Sequence, residues 1–134
     1  MSDSSKVLIL YTGIHPVDPS GVIGGAQGTT IKRAEYLAQN GYNVTVMMPI
    51  KYPSYDYNSV EYVNARDWSS IIRNLKELKR QWDVVYCVGS PNLLRESYII
   101  PYIRSSLLRI LAFHSWPSPN HHRIKTINWY GDFV

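Results

Sequence analysis

The sequence predicts an α/β protein built on an open parallel sheet with helices on both faces. Three observations carry this expectation. Residues 7–11, 44–48 and 84–88 are short, nearly continuous apolar runs, as strands buried on both faces require. Between the first two runs the spacing turns helical: Ile31, Ala34, Leu37 and Ala38 share one face, while Lys32, Arg33, Glu35 and Gln39 point elsewhere. A second helical spacing follows at Trp68, Ile71, Ile72, Leu75 and Leu78. Strands that alternate with helical segments make parallel pairs through right-handed crossovers.

Taken in order, the first strand spans residues 6–11, and its uniformly apolar run places it at the centre of the sheet. Residues 11–25 then form a loop that is long for a strand-to-helix connection, and long ordered loops are often binding loops. Gly24-Gly25 falls where the helix begins. Two missing side chains let a ligand approach the backbone, and free amides at a helix start favour anions. The plainer reading is a flexible turn into a helix, and both stand at this point. Asn40-Gly41 ends the helix, because glycine takes the left-handed C′ conformation without a Cβ clash. The second strand covers 43–48.

Residues 51–57 contain three tyrosines and a proline and read as a loop. The rings would either stack on a sugar or base, or cover one end of the sheet. A short strand is expected at 60–63, and Asp67 or Ser69 would cap the second helix. The basic residues Arg73, Lys76, Lys79 and Arg80 decorate that helix as a solvated face, or as a contact with a membrane surface. Another strand is expected at 83–88. Gly89-Ser-Pro-Asn92 turns at its end, with Ser90 or Asn92 capping a helix that runs to about Ser105 and kinks at Pro101. The last full strand covers 108–113.

A chain of 134 residues, 45% apolar and 18% charged, is one globular domain. No signal peptide pattern and no run near membrane-spanning length occurs, and the single cysteine, Cys87, lies in an apolar run as a buried, inert thiol. These features favour the cytosol. The net charge of +4 is too small to select among phosphates, nucleic acid and anionic lipid, and nucleic acid is not among the expected partners.

Two nucleotide motifs are absent. The dinucleotide fingerprint needs G-x-G-x-x-G directly after the first strand and an acid after the second, but here Gly24-Gly-Ala-Gln-Gly28 comes late and the second strand ends Met48-Pro49. The phosphate loop of ATPases needs a Gly-Lys pair, and none exists. No metal is expected, because His121 and His122 are adjacent and adjacent histidines rarely share one ion. His114 follows the last full strand, at the edge where ligands of open α/β sheets bind. Its imidazole would donate to a phosphate or sugar hydroxyl, or else bond a neighbouring loop.

Taken together, Lys6-Val-Leu-Ile-Leu, Gly24-Gly-Ala26, Ala34-x-x-Leu37-Ala38-x-x-Gly41-Tyr-x-Val44-Thr-Val, Asp83-Val-Val-Tyr86 and Phe113-His114 resemble the N-terminal domain of GT-B fold glycosyltransferases, of the retaining family 4 type. Asp132-Phe-Val134 resembles the start of that domain's next strand. The resemblance implies a Rossmann-like domain over residues 1–134. It implies metal-independent, cofactor-free transfer of a sugar from a nucleotide diphosphosugar to a sugar, lipid or protein acceptor. By resemblance, the backbone at Gly24, Gly25 and Ala26 lies beside the donor diphosphate and sugar, His114 lies beside the sugar, and Ser90 joins the site. The family often follows Gly-Gly-Ala with Glu-Arg, where this chain has Gln27-Gly28.

The family places its nucleotide-binding domain after this segment, and residues 1–134 contain none of it. The expectation is therefore an acceptor-side half: a fragment, a truncated product or one subunit of a split enzyme. Such a half would be inactive without a C-terminal domain or partner, would bind donor weakly and would be prone to self-association through its open face. The expected location is cytoplasmic, with peripheral contact at a membrane surface where the acceptor is a lipid. The alternative is a non-catalytic binding or assembly module that kept the fold and lost the chemistry. A nucleotide-cofactor enzyme is disfavoured by the absent fingerprint.

Overall fold

The computed structural model describes residues 5–11, 15–21, 24–89, 102, 108–113 and 132–133. Its elements are β1 (Lys6–Tyr11), α1 (Gly25–Gln39), β2 (Asn43–Met48), β3 (Ser54–Tyr57), β4 (Val60–Asn64), α2 (Trp68–Leu78), β5 (Val84–Gly89), β6 (Leu108–Phe113) and β7 (Asp132–Phe133). They build a mixed, mostly parallel α/β sheet in the order β3-β4-β2-β1-β5-β6-β7. The first strand is central, as its uniform apolar run predicts. It pairs in parallel with β2 on one side and β5 on the other.

Alternation along the strands divides the core in two. Val7 and Ile9 of β1 join Val44, Val46 and Met48 of β2, and Ile31 and Ala34 of α1, on one face. Leu8 and Leu10 join Met47, Val85 and Cys87, and Ile71 and Leu75 of α2, on the other. The two helices therefore cover opposite faces, and β1 is apolar and buried from Val7 to Leu10 because both faces are dry there.

The helix ends follow local chemistry. At the end of α1, Gly41 has φ +91 and the N–H groups of Gly41 and Tyr42 donate to the carbonyls of Ala38 and Leu37. This double closure needs a left-handed residue after the cap, which glycine supplies. Asp67 caps α2: its carboxylate accepts from the Ser70 N–H at 2.8 Å, and the Asp67 N–H donates to Ser70 Oγ at 3.1 Å. Ser70 thus takes the role that Glu or Gln usually plays in a capping box.

One expectation is corrected. Residues 51–57 are not wholly loop, and the sheet is not wholly parallel: β3 pairs antiparallel with β4. The connecting residues Asn58 and Ser59 have φ of 50 and 65, the signature of a two-residue hairpin turn whose twist matches the strands. Tyr57 packs at the edge of the α1-side core, in keeping with the sheet-covering reading of the tyrosines. The expected helix ending near Ser105 lies outside the described residues, except for Tyr102, which is helical.

Candidate functional site

The parallel strands share one carboxyl-terminal edge. Tyr11 pairs with Val88, and Gly89 pairs with Phe113, so β1, β5 and β6 end side by side. The helix α1 returns the chain from this edge to the start of β2, where the Asn43 N–H donates to the Ser5 carbonyl. Its amino-terminal turn therefore lies at the edge where β1 ends.

Residues 15–21 fix that turn in place. Val17 forms a bridge with Ile50, just beyond β2: the Val17 N–H donates to the Pro49 carbonyl at 3.2 Å, and the Lys51 N–H donates to the Val17 carbonyl at 2.9 Å. The Asp18 carboxylate accepts from the Ser20 N–H at 3.0 Å, from Ser20 Oγ at 2.6 Å and from the Tyr52 hydroxyl at 3.3 Å. Gln27 Nε2 in the first turn of α1 donates to the His15 carbonyl at 3.1 Å. The loop is thus stitched to the segment after β2 on one side and to the helix on the other.

The helix start itself is open. Gly24 is the N-cap, with φ −107 and ψ −179 and no side-chain hydrogen bond, and the first turn holds no acidic residue. Gly25 has φ +65, a conformation that favours glycine. Among the described residues, a Cβ added to either would meet nothing within 4 Å. Uncapped amides beside open space favour an anion by about 0.3–1 kcal/mol, through hydrogen bonding and the aligned peptide dipoles. Tyr11, at the end of β1, is partly buried, and this burial raises its phenol above the ordinary value of 10.0, so it stays a neutral donor at physiological pH.

Of the residues singled out from sequence, Gly24 and Gly25 lie together at this edge, and the backbone of Ala26 continues the same first helical turn. His114 and Ser90 lie outside the described residues. Their chain neighbours Phe113 and Gly89 are paired with each other at the same edge. Sequence reasoning missed Asp18, and it missed the tethering roles of Gln27, noted only as a departure from the family pattern, and of Tyr52, read only as one of three loop tyrosines. Asp18-Pro-Ser-Gly21 carries a turn signal, since an aspartate readily accepts from the residue two positions on. Nothing local marks Tyr52 as its partner.

Among the described residues, no group of three or more His, Cys, Asp or Glu side chains is placed to hold a metal ion, and no helix is long and apolar enough to cross a membrane. No protein-family model and no curated protein matches the chain.

Proposed function

We propose that this chain is the amino-terminal, acceptor-side half of a metal-independent GT-B fold glycosyltransferase, in which α1 presents its amino terminus to the diphosphate of a nucleotide sugar. The observation that supports this most is the uncapped glycine pair at the carboxyl-terminal sheet edge, with no described residue within 4 Å of a Cβ at either position. A phosphate needs close backbone approach, unpaired amides and no competing carboxylate; among the described residues no side chain caps the first turn of α1, and that turn carries no acid. The central position of β1, the parallel pairing of β1 with β2 and β5, and helices on opposite faces fit a Rossmann-like domain.

A few partly exposed hydrogen bonds at one helix end contribute about 0.5–1.5 kcal/mol each, against an association cost of at least ~4 kcal/mol. Residues 1–134 should therefore bind nucleotide sugars at millimolar strength or weaker and catalyse no transfer alone. Calorimetric titration with a panel of UDP- and GDP-hexoses tests this, and micromolar affinity for any of them would overturn the division of labour.

A second reading is a binding or assembly module without chemistry. One observation favours it: the family often carries an acid where Gln27 stands, and here the Gln27 amide is committed to the His15 carbonyl. A transfer assay on the chain joined to a nucleotide-binding GT-B domain separates the two readings. Sugar transfer supports the enzyme, and binding without transfer supports the module.

A further inference from the structure

We infer that a half-open cavity at the amino-terminal edge of the sheet is a second binding site, for a neutral polyhydroxyl ligand of saccharide size. The cavity holds about 500 Å³ and is built where β1, β2 and β4 begin, at the opposite end of the strands from Gly24 and Gly25. Its volume falls within the range of small-molecule pockets, roughly 300–1,000 Å³. Lys79 takes a left-handed conformation that turns the chain out of α2, and Arg80 and Trp82 then form one wall.

That wall is internally satisfied. Arg80 grips the Glu61 carboxylate through both terminal nitrogens, and the buried Thr45 hydroxyl donates to the same carboxylate at 2.7 Å. The Arg80 guanidinium lies 5.9 Å from the centre of the Trp82 ring. These contacts hold Glu61 and Arg80 in fixed positions, with lone pairs and N–H groups left over for a guest. Lys6 and Asp56 line the same cavity, and their side chains pair with nothing among the described residues. Asn43 and Ser59 add neutral polar groups.

The lining selects the ligand class by its balance. Two cations, Lys6 and Arg80, face two carboxylates, Asp56 and Glu61. A simple anion drawn to the first pair is repelled by the second, and a simple cation meets the reverse. A hydroxyl both donates and accepts. A ligand carrying several hydroxyls can therefore accept from Lys6 and donate to Asp56 at no electrostatic penalty. The cavity is open to solvent and each new hydrogen bond replaces one to water, so binding is expected in the millimolar range.

The test is a titration of the isotope-labelled chain, followed by amide NMR, with sucrose, lactose and maltose, and with inorganic phosphate and glutamate as charged comparators. The expected result is saturable shifts at Asn43, Thr45, Ser59 and Glu61 with at least one disaccharide, and none at Gly24 or Gly25. Asp56→Ala should weaken that binding about tenfold, the loss of one charge-assisted hydrogen bond, while the remaining spectrum is unchanged. Lys6→Ala, at a second exposed position, should do the same. Absence of saturable shifts with every disaccharide would overturn the inference. So would tighter binding of a charged comparator at the same amides, or indifference to both substitutions. The nucleotide-sugar reading is scored at different amides, so either can fail without the other.

Discussion

Gln27, in the first turn of α1, donates its side-chain amide to the carbonyl of His15 at 3.1 Å, across twelve positions of sequence. This contact holds the loop before the helix against the helix start, so the open amides at Gly24 and Gly25 keep one orientation. Gln27→Ala should cost about 0.5–1.5 kcal/mol, the net worth of one hydrogen bond. Faster amide exchange should be confined to residues 15–21 and the first turn of α1. Hydrogen exchange reads this directly, and unchanged protection in both segments would show that the contact fixes nothing.

Asp18 should matter more than Tyr52. Its carboxylate accepts from Ser20 twice and from the Tyr52 hydroxyl. Tyr52 is 44% exposed and its bond to Asp18 is the longest of the three at 3.3 Å. Asp18→Ala should therefore lower stability by about 1–2 kcal/mol, and Tyr52→Phe by less than about 0.5 kcal/mol. Urea unfolding of both variants checks the order, which the account requires to be this way round.

The two glycines should respond differently to alanine. Gly25 has φ +65, so Gly25→Ala places a Cβ in a left-handed backbone at a cost of about 1–2 kcal/mol, although no described residue blocks the space. Gly24 is extended and equally open, so Gly24→Ala should cost less than Gly25→Ala. Gly24→Val is accordingly a cleaner probe of ligand approach than Gly25→Val. In a complete transferase it should cut turnover much more than it cuts stability. Thermal unfolding of the alanine pair tests the first statement, and a transfer rate unaffected by Gly24→Val would contradict the second.

Acid stability should depend on Glu61 and Asp67. The Arg80 side chain holds the Glu61 carboxyl below its ordinary value of 4.5, and the Ser70 N–H and hydroxyl hold the Asp67 carboxyl below 3.8. Both groups are depressed on folding. Their contribution is therefore complete above those ordinary values and is lost as the pH falls through the lowered ones. Glu61 is about one third exposed, so its pair with Arg80 contributes only about 0–1 kcal/mol. Glu61→Gln should flatten the fall of unfolding free energy below pH 4.5. Asp67→Asn, which still caps but does not titrate, should flatten it at lower pH. Urea melts across the acid range distinguish them, and parallel curves for wild type and both variants would refute the assignment.

The parallel strands were legible because a strand buried on both faces leaves a continuous apolar signature, as Val7, Leu8, Ile9 and Leu10 do. The edge strand β3 was not. It is short, Ser54 and Asp56 are exposed, and it follows Pro53; these are ways edge strands avoid further pairing, and they resemble a loop. At the candidate site, Gly24-Gly25 was legible as the start of α1, while its sequence alone left a ligand contact and a flexible turn side by side. The tethers Asp18–Tyr52 and Gln27–His15 were not, since hydrogen bonds between distant polar residues follow no periodicity. The charged cavity at the other sheet edge was hidden for the same reason: Lys6, Asp56, Glu61 and Arg80 are scattered in sequence and converge only through strand order.

The central claim is that the amino terminus of α1 receives the diphosphate of a nucleotide sugar. Amide NMR of residues 1–134, titrated to tens of millimolar with UDP- and GDP-hexoses, tests it most directly. The account predicts millimolar, saturable shifts centred on Gly24, Gly25 and Ala26, reproduced by inorganic pyrophosphate and abolished by Gly24→Val. The absence of shifts at these three amides, or shifts there that persist in Gly24→Val, would contradict it.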